Sequence, residues 1–280
     1  MSKLKPLLAC AATVLLCALP MSARADTVSS AEMSITTDDN ITAARDGHHR
    51  TTEQALQLGL VQALSSSVNR STSLRLLARA GGRFQARYEG LNEFSGGLDG
   101  QLLLRHGSDF HTPTIGFSLG ITTNQFASKL RDANETRSKV FIQQPISTKL
   151  TARGALFATW RDSHGQAFDA DWRGGELALD WQVRDRLRLS VGYQYRDGTV
   201  VSVGTPGAAA VANATGLDAD DVFTGLTALS FDAQTHIGSM TVSYALTPRW
   251  MLESQVRHVE SDTDFDTRYH RWNTSCGLVL

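Results

Sequence analysis

Long runs of strict polar–apolar alternation dominate this sequence. Leu187, Leu189, Val191, Tyr193 and Tyr195 alternate with Arg188, Ser190, Gly192, Gln194 and Arg196. Ile115, Phe117, Leu119 and Ile121 alternate with Gly116, Ser118, Gly120 and Thr122. Leu177, Leu179, Trp181 and Val183 repeat the pattern, as do Met240, Val242, Tyr244 and Leu246. A period of two puts each apolar set on one face of an extended strand and each polar set on the other. No stretch beyond residue 25 shows a comparable helical period.

The pattern predicts about twelve strands, at 31–44, 53–65, 73–88, 93–106, 112–126, 137–146, 149–161, 172–183, 186–197, 235–247, 250–261 and 267–280. Each is about twice or more the ~5–6 residues usual for a globular strand, which argues against a soluble sandwich. Connections after even-numbered strands read as short, such as Ser147-Thr148 and Arg184-Asp185. Most after odd-numbered strands are longer and more polar, the longest spanning 198–234. Short turns at one rim and long loops at the other predict an all-β, antiparallel transmembrane barrel with both termini periplasmic. Composition agrees: 41% of residues are hydrophobic, yet no run beyond the leader would make a membrane helix. Three cysteines cannot build a disulfide framework, and 27 basic against 28 acidic residues give no general attraction to nucleic acid.

The N-terminus reads as a secretory leader. Lys3 and Lys5 precede an apolar run from Leu7 to Leu19, Pro20 breaks it, and Ala23-Arg24-Ala25 supplies small residues for cleavage before Asp26. Cleavage removes Cys10 and Cys17 and leaves Cys276 alone. The expected organisation is a leader over 1–25 and a barrel over 26–280.

Over 26–280 the chain resembles bacterial outer-membrane barrels of the small, porin-like kind. Thr37-Asp38-Asp39-Asn40-Ile41 resembles the first strand of several such barrels. It is also similar to the barrel part of surface lipoprotein assembly modifiers, although their helical-repeat domain has no counterpart here. Cys276-Gly277-Leu278-Val279-Leu280 resembles the terminal strand read by the barrel-assembly machinery, with Leu in place of the preferred terminal aromatic. The resemblance implies two partners, the outer-membrane bilayer and that machinery. Aromatics near strand ends (Tyr88, Phe94, Trp160, Trp172, Trp181, Tyr195, Trp250, Trp272) are expected in interfacial girdles.

Placing apolar residues outward sends Arg75, Arg79, Arg83 and Arg87 of the third strand into the lumen on one face. Arg105, Arg153, Arg161, Arg188, Arg196, Arg257 and Arg271 join them. The inward acids are fewer: Asp99, Glu176, Asp180 and Glu253. Such an excess favours anionic solutes, whereas Glu176 and Asp180 are placed to pair with arginines of the flanking strands. Asp218, Asp220 and Asp221 in the long loop are expected to fold inward, meet the upper arginines and constrict the passage.

No metal or cofactor site is expected. Asp46, His48 and His49 lack regular ligand spacing, and the loop aspartates lack the Glu and Gly of a calcium loop. His236, His258 and His270 fall on the lipid face with no nucleophile motif, so no catalytic site is assigned. Three function classes follow: a passive channel for small anionic solutes, a barrel that displays loops or assists export, and a barrel hydrolase.

Overall fold

The structure, a computed structural model, describes residues 25–44, 49–263 and 268–280. The expected leader up to residue 24, together with Asp46 and His48, lies outside the described residues. Thirteen strands form one sheet: β1 (Ala25–Asp38), β2 (Glu53–Ser67), β3 (Thr72–Gln85), β4 (Glu93–Arg105), β5 (Thr114–Phe126), β6 (Ala133–Ser147), β7 (Leu150–Ser163), β8 (Ala170–Arg184), β9 (Leu187–Gly204), β10 (Gly216–Ala219), β11 (Thr227–Ala245), β12 (Met251–Thr263) and β13 (Arg268–Val279). Twelve of these are long, and each pairs antiparallel with its neighbour. Pairing of β1 with β13, from Glu32 opposite Val279 to Asp38 opposite Asn273, closes the barrel. Closure gives each of the twelve long strands a partner on both sides, as a hydrocarbon environment demands. The short β10 lies on β11 just beyond the end of β12.

The apolar residues are on the outside. Leu119 and Leu60 are both 61% exposed, Leu177 67% and Leu156 71%. They share this outer face with the girdle aromatics Phe94, Trp160, Trp181, Trp250 and Trp272, all exposed. Two expected girdle members are elsewhere. Trp172 stands opposite Thr159 on the inner face, and Tyr88 packs on Phe223 above the wall with ring centroids 4.8 Å apart. Position near a strand end is common to lipid-facing and lumen-facing aromatics, so it did not separate them.

Local chemistry sets the short turns. Asn69 Oδ1 accepts from Ser71 N–H between β2 and β3, and Thr247 Oγ1 accepts from the N–H groups of Arg249 and Trp250 between β11 and β12. Gly81-Gly82 and Gly174-Gly175 sit in regular ladders; the register shifts fall at Pro145/Ser147 and Gln182/Arg184.

The longest connection is 205–226, not 198–234. β9 and β11 stay paired from Leu187 opposite Tyr244 up to Gly204 opposite Thr227. In this extension Val203, Leu229, Phe231 and Ser230 are all buried, so both faces are covered and the alternation that marks a half-exposed strand disappears.

Candidate functional site

The inner wall follows from the register. Arg75, Arg79 and Arg83 lie on the inward face of β3, opposite Gln101, Gly97 and Glu93 of β4. Arg79 forms an ion pair with Asp99, so the third-strand row is less free of acids than the sequence suggests. Arg87 is not part of the wall. β3 ends at Gln85, whose N–H donates to Asn92 Oδ1 at 2.7 Å, and Arg87 is exposed in the connection beyond.

Near the short-turn rim, Arg105 Nη2 donates to the Asp109 carbonyl at 3.0 Å, and Arg188 Nε reaches Gln182 Oε1 at 3.5 Å. Arg153 Nε is 2.6 Å from Asp180 Oδ2, a cross-strand pair between β7 and β8, and Ser190 Oγ donates to the same carboxylate at 2.6 Å. Glu176 pairs with Lys139 on β6 and not with an arginine of its neighbours β7 or β9. Inward carboxylates are also more numerous than the sequence suggests: Glu53 and Asp38 are buried at the upper ends of their strands, and Glu93 and Glu135 line the same region. Arg83, Arg196 and Arg257 have no carboxylate within ion-pair distance among the described residues.

A cap covers the long-loop rim, and three of its connections share one design. Each carries a 3-10 turn (Glu89–Leu91, Lys129–Arg131, Gln166–Phe168) followed by Asn92, Asp132 or Asp169. The side-chain oxygen of that residue accepts, at 2.7 Å, the N–H at or just beside the end of the incoming strand: Gln85, Phe126 and Ser163 respectively. The turns also stack. Ala127 and Ser128 N–H donate to the carbonyls of Asn92 and Gly90, and His164 and Gly165 N–H donate in the same pattern to Asp132 and Leu130. Together the three turns form an arch at the long-loop end of the barrel.

The 205–226 connection, which contains the short helix α1 (Ala208–Asn213) and β10, docks against this arch. Asp218 Oδ2 accepts from Ala167 N–H at 2.7 Å. Asp220, fully buried, takes Arg131 Nη2 at 2.5 Å on one oxygen and the N–H groups of Val222 and Phe223 on the other, both at 2.8 Å. Asp221 takes Arg131 Nη1 at 2.9 Å and Ser128 Oγ at 2.6 Å. The loop aspartates thus meet Arg131 and the arch, and not the arginines of β3. Arg131 carried no sequence signal, being a lone arginine in a loop.

Beneath this contact Ala167, Phe168, Val203, Phe223 and Ala228 form a small apolar core. Between cap and wall lies a crevice of about 420 Å³ whose charged lining includes Arg83, Arg131, Arg161, Arg196 and Arg271 against Asp38 and Glu93.

Of the remaining candidates, His270 borders the crevice and the others lie apart from it. His236, His258 and His270 face outward: His236 Nδ1 is 2.7 Å from Tyr193 Oη, and His258 lies 4.4 Å from the Trp272 ring. The His49 carbonyl accepts from Thr42 Oγ1 at 2.7 Å.

Comparison with solved structures places the architecture. An outer membrane channel from Pseudomonas putida F1 superposes with a TM-score of 0.56 at 13% identity, covering 94% of this chain and 97% of that one. The fold is that of an outer-membrane β-barrel. The KdgM porin in complex with disordered oligogalacturonate matches with a TM-score of 0.47 at 9% identity, covering 90% and 98%. The NanC porin matches with 0.48 at 8%, covering 88% and 98%. No protein-family model and no curated protein matches the sequence.

Proposed function

We propose that this barrel is a passive channel for small anionic solutes in the bacterial outer membrane, its long loops outside and its strand ends Ala25 and Val279 at the periplasmic rim. Inner-wall arginines with no carboxylate at ion-pair distance among the described residues, Arg75, Arg83, Arg196 and Arg257 among them, carry this reading. Fixed guanidinium charges in a narrow lumen are screened less than at an open surface, so each biases permeation toward anions. The fold likeness to the P. putida channel supports a pore of this general kind. In this reading Arg75, Arg105, Arg153 and Arg188, with the acids Glu176 and Asp180, line the lower passage, and Asp218, Asp220 and Asp221 hold the constriction at the mouth. The C-terminal strand β13 serves as the signal to the barrel-assembly machinery. No residue is assigned a catalytic role.

The cap favours a second reading, in which the arch and its docked loop form a surface displayed to another protein. Ion selectivity separates the two. With residues 206–225 replaced by a short Gly-Ser turn, the reversal potential in a potassium chloride gradient should report preference for chloride. Replacing Arg75 and Arg83 with serine in that background should shift it toward potassium. Arg79 is a poorer choice, because its removal leaves Asp99 unpaired and adds a negative site. An unchanged reversal potential would make these arginines structural filling and favour the display reading.

A further inference from the structure

The crevice beneath the cap has two unlike walls. On one side Arg196 of β9 and Arg271 of β13 line it, standing opposite Thr235 and Val259 of the intervening strands, with Arg257 of β12, opposite Ser239, close by. Arg257 and Arg271 are close enough to Arg196 to repel it. The carboxylate in ion-pair range of this group, among the described residues, is Asp38, 3.7 Å from Arg271. Its oxygens already accept from Asn40 N–H at 3.0 Å and Asn273 Nδ2 at 2.9 Å. Three guanidiniums therefore share part of one negative charge in a confined space, which a bound anion would relieve.

The other wall is aromatic. Trp172 points inward, and Phe126 and Phe168 line the same crevice, the first faced by Arg161 at 5.8 Å and the second by Arg131 at 4.3 Å. Its backbone is held against Gly198, where φ is +145°, and a Cβ there would run into Asp171 and Trp172. The Arg196 guanidinium sits 5.4 Å from the centre of the Trp172 ring, so charge and ring face the same space. A hydrated inorganic anion would answer the charge and leave the aromatic wall wet. A flat apolar body carrying one oxyanion answers both walls, and about 420 Å³ suits a single ring.

We propose that this crevice is a binding subsite for small aromatic carboxylates, the carboxylate held by Arg196 and Arg271 and the ring lodged beside Trp172. The proposal rests on the reading of the lumen as an anion passage, which supplies the route to the crevice from below the cap.

Calorimetric titration of the full-length barrel in detergent, at fixed ionic strength, tests it with benzoate as probe. Benzoate should bind, with acetate (charge without ring) and benzyl alcohol (ring without charge) each weaker by roughly tenfold or more. Arg196→Gln should weaken benzoate by roughly tenfold, the loss expected for one charge-assisted hydrogen bond. Trp172→Leu should weaken benzoate and leave acetate unchanged. Arg271→Gln serves as a second charge variant should Arg196→Gln fail to fold. Benzoate binding no tighter than acetate or benzyl alcohol, or unaltered in the folded charge variant, overturns the subsite. Reversal potentials keep the two readings apart. Chloride preference without benzoate selectivity overturns the subsite alone, whereas benzoate binding in a barrel that does not conduct overturns the channel and leaves the subsite.

Discussion

Arg131→Ala should release the 205–226 connection from the mouth while leaving the barrel intact. Arg131 is 7% exposed and its partner Asp220 fully buried, so the substitution strands a carboxylate that cannot reach water without moving the loop. Removing one member of a buried ion pair costs roughly 3–5 kcal/mol, more than one exposed or half-exposed pair contributes elsewhere in the protein. Asp221 loses the same partner but is 39% exposed and keeps Ser128 Oγ, so most of the penalty falls on Asp220. The small core around Phe223 and Phe168, the hydrogen bond from Ala167 N–H to Asp218 and the short β10–β11 ladder are left to oppose release. Hydrogen exchange should report rapid amide exchange across 206–226, β10 included, in the variant, with the ladders of the twelve long strands still protected. The pair Arg131→Met with Asp220→Asn should exchange more slowly than Arg131→Ala alone, because no charge is left buried. Equal protection in Arg131→Ala and the unmodified protein would show that the apolar contacts alone hold the cap.

Leu119→Arg should destabilise the barrel by roughly 2–4 kcal/mol, the cost of an arginine at mid-membrane on the lipid face. Leu119 lies midway along β5 and is 61% exposed on the outer wall. Its neighbour Ser118 faces inward, opposite Gln101 and Lys139, where a guanidinium stays in water. Ser118→Arg should therefore cost much less, the nearby lysine charge being its main penalty. Val191→Arg and Ser190→Arg repeat the comparison on β9. There the inward variant also breaks the hydrogen bond from Ser190 Oγ to Asp180 and brings the arginine to that carboxylate. Urea unfolding in lipid vesicles measures all four variants. Equal costs for the two classes would contradict the assignment of faces, since a one-residue slip exchanges every inward and outward side chain.

The wall was legible in the sequence because each of its strands is half in lipid and half in water, so alternation carries the register directly. Leu119, Val191 and Leu177 face outward as their spacing requires, and Arg79, Arg83 and Arg196 face inward for the same reason. The signal fails where both faces are covered, as at Ser202, Val203, Leu229 and Phe231, and the long loop then looked longer than it is. The cap was not legible for a different reason. Its order comes from an Asn or Asp that braces a strand end and from backbone hydrogen bonds between successive turns. Neither leaves a hydropathy pattern. The recurrence of Asn92, Asp132 and Asp169 directly after Leu91, Arg131 and Phe168 is the trace it does leave, a repeat of hairpins and not of solenoid units. Charge balance in the lumen was misjudged at the strand tops, where Glu53, Glu93 and Asp38 lie inside predicted strands without being counted among the inward acids, and Glu135 falls just outside its predicted strand.

Single-channel recording in a planar bilayer tests the central claim most directly, by comparing the intact protein with the variant in which a short turn replaces residues 206–225. A charged lumen under a docked loop predicts small or no conductance steps from the intact barrel. The variant should give larger, well-defined steps, with a reversal potential of the sign for chloride. Silence from both proteins, with the barrel shown to be folded and inserted, would contradict the account.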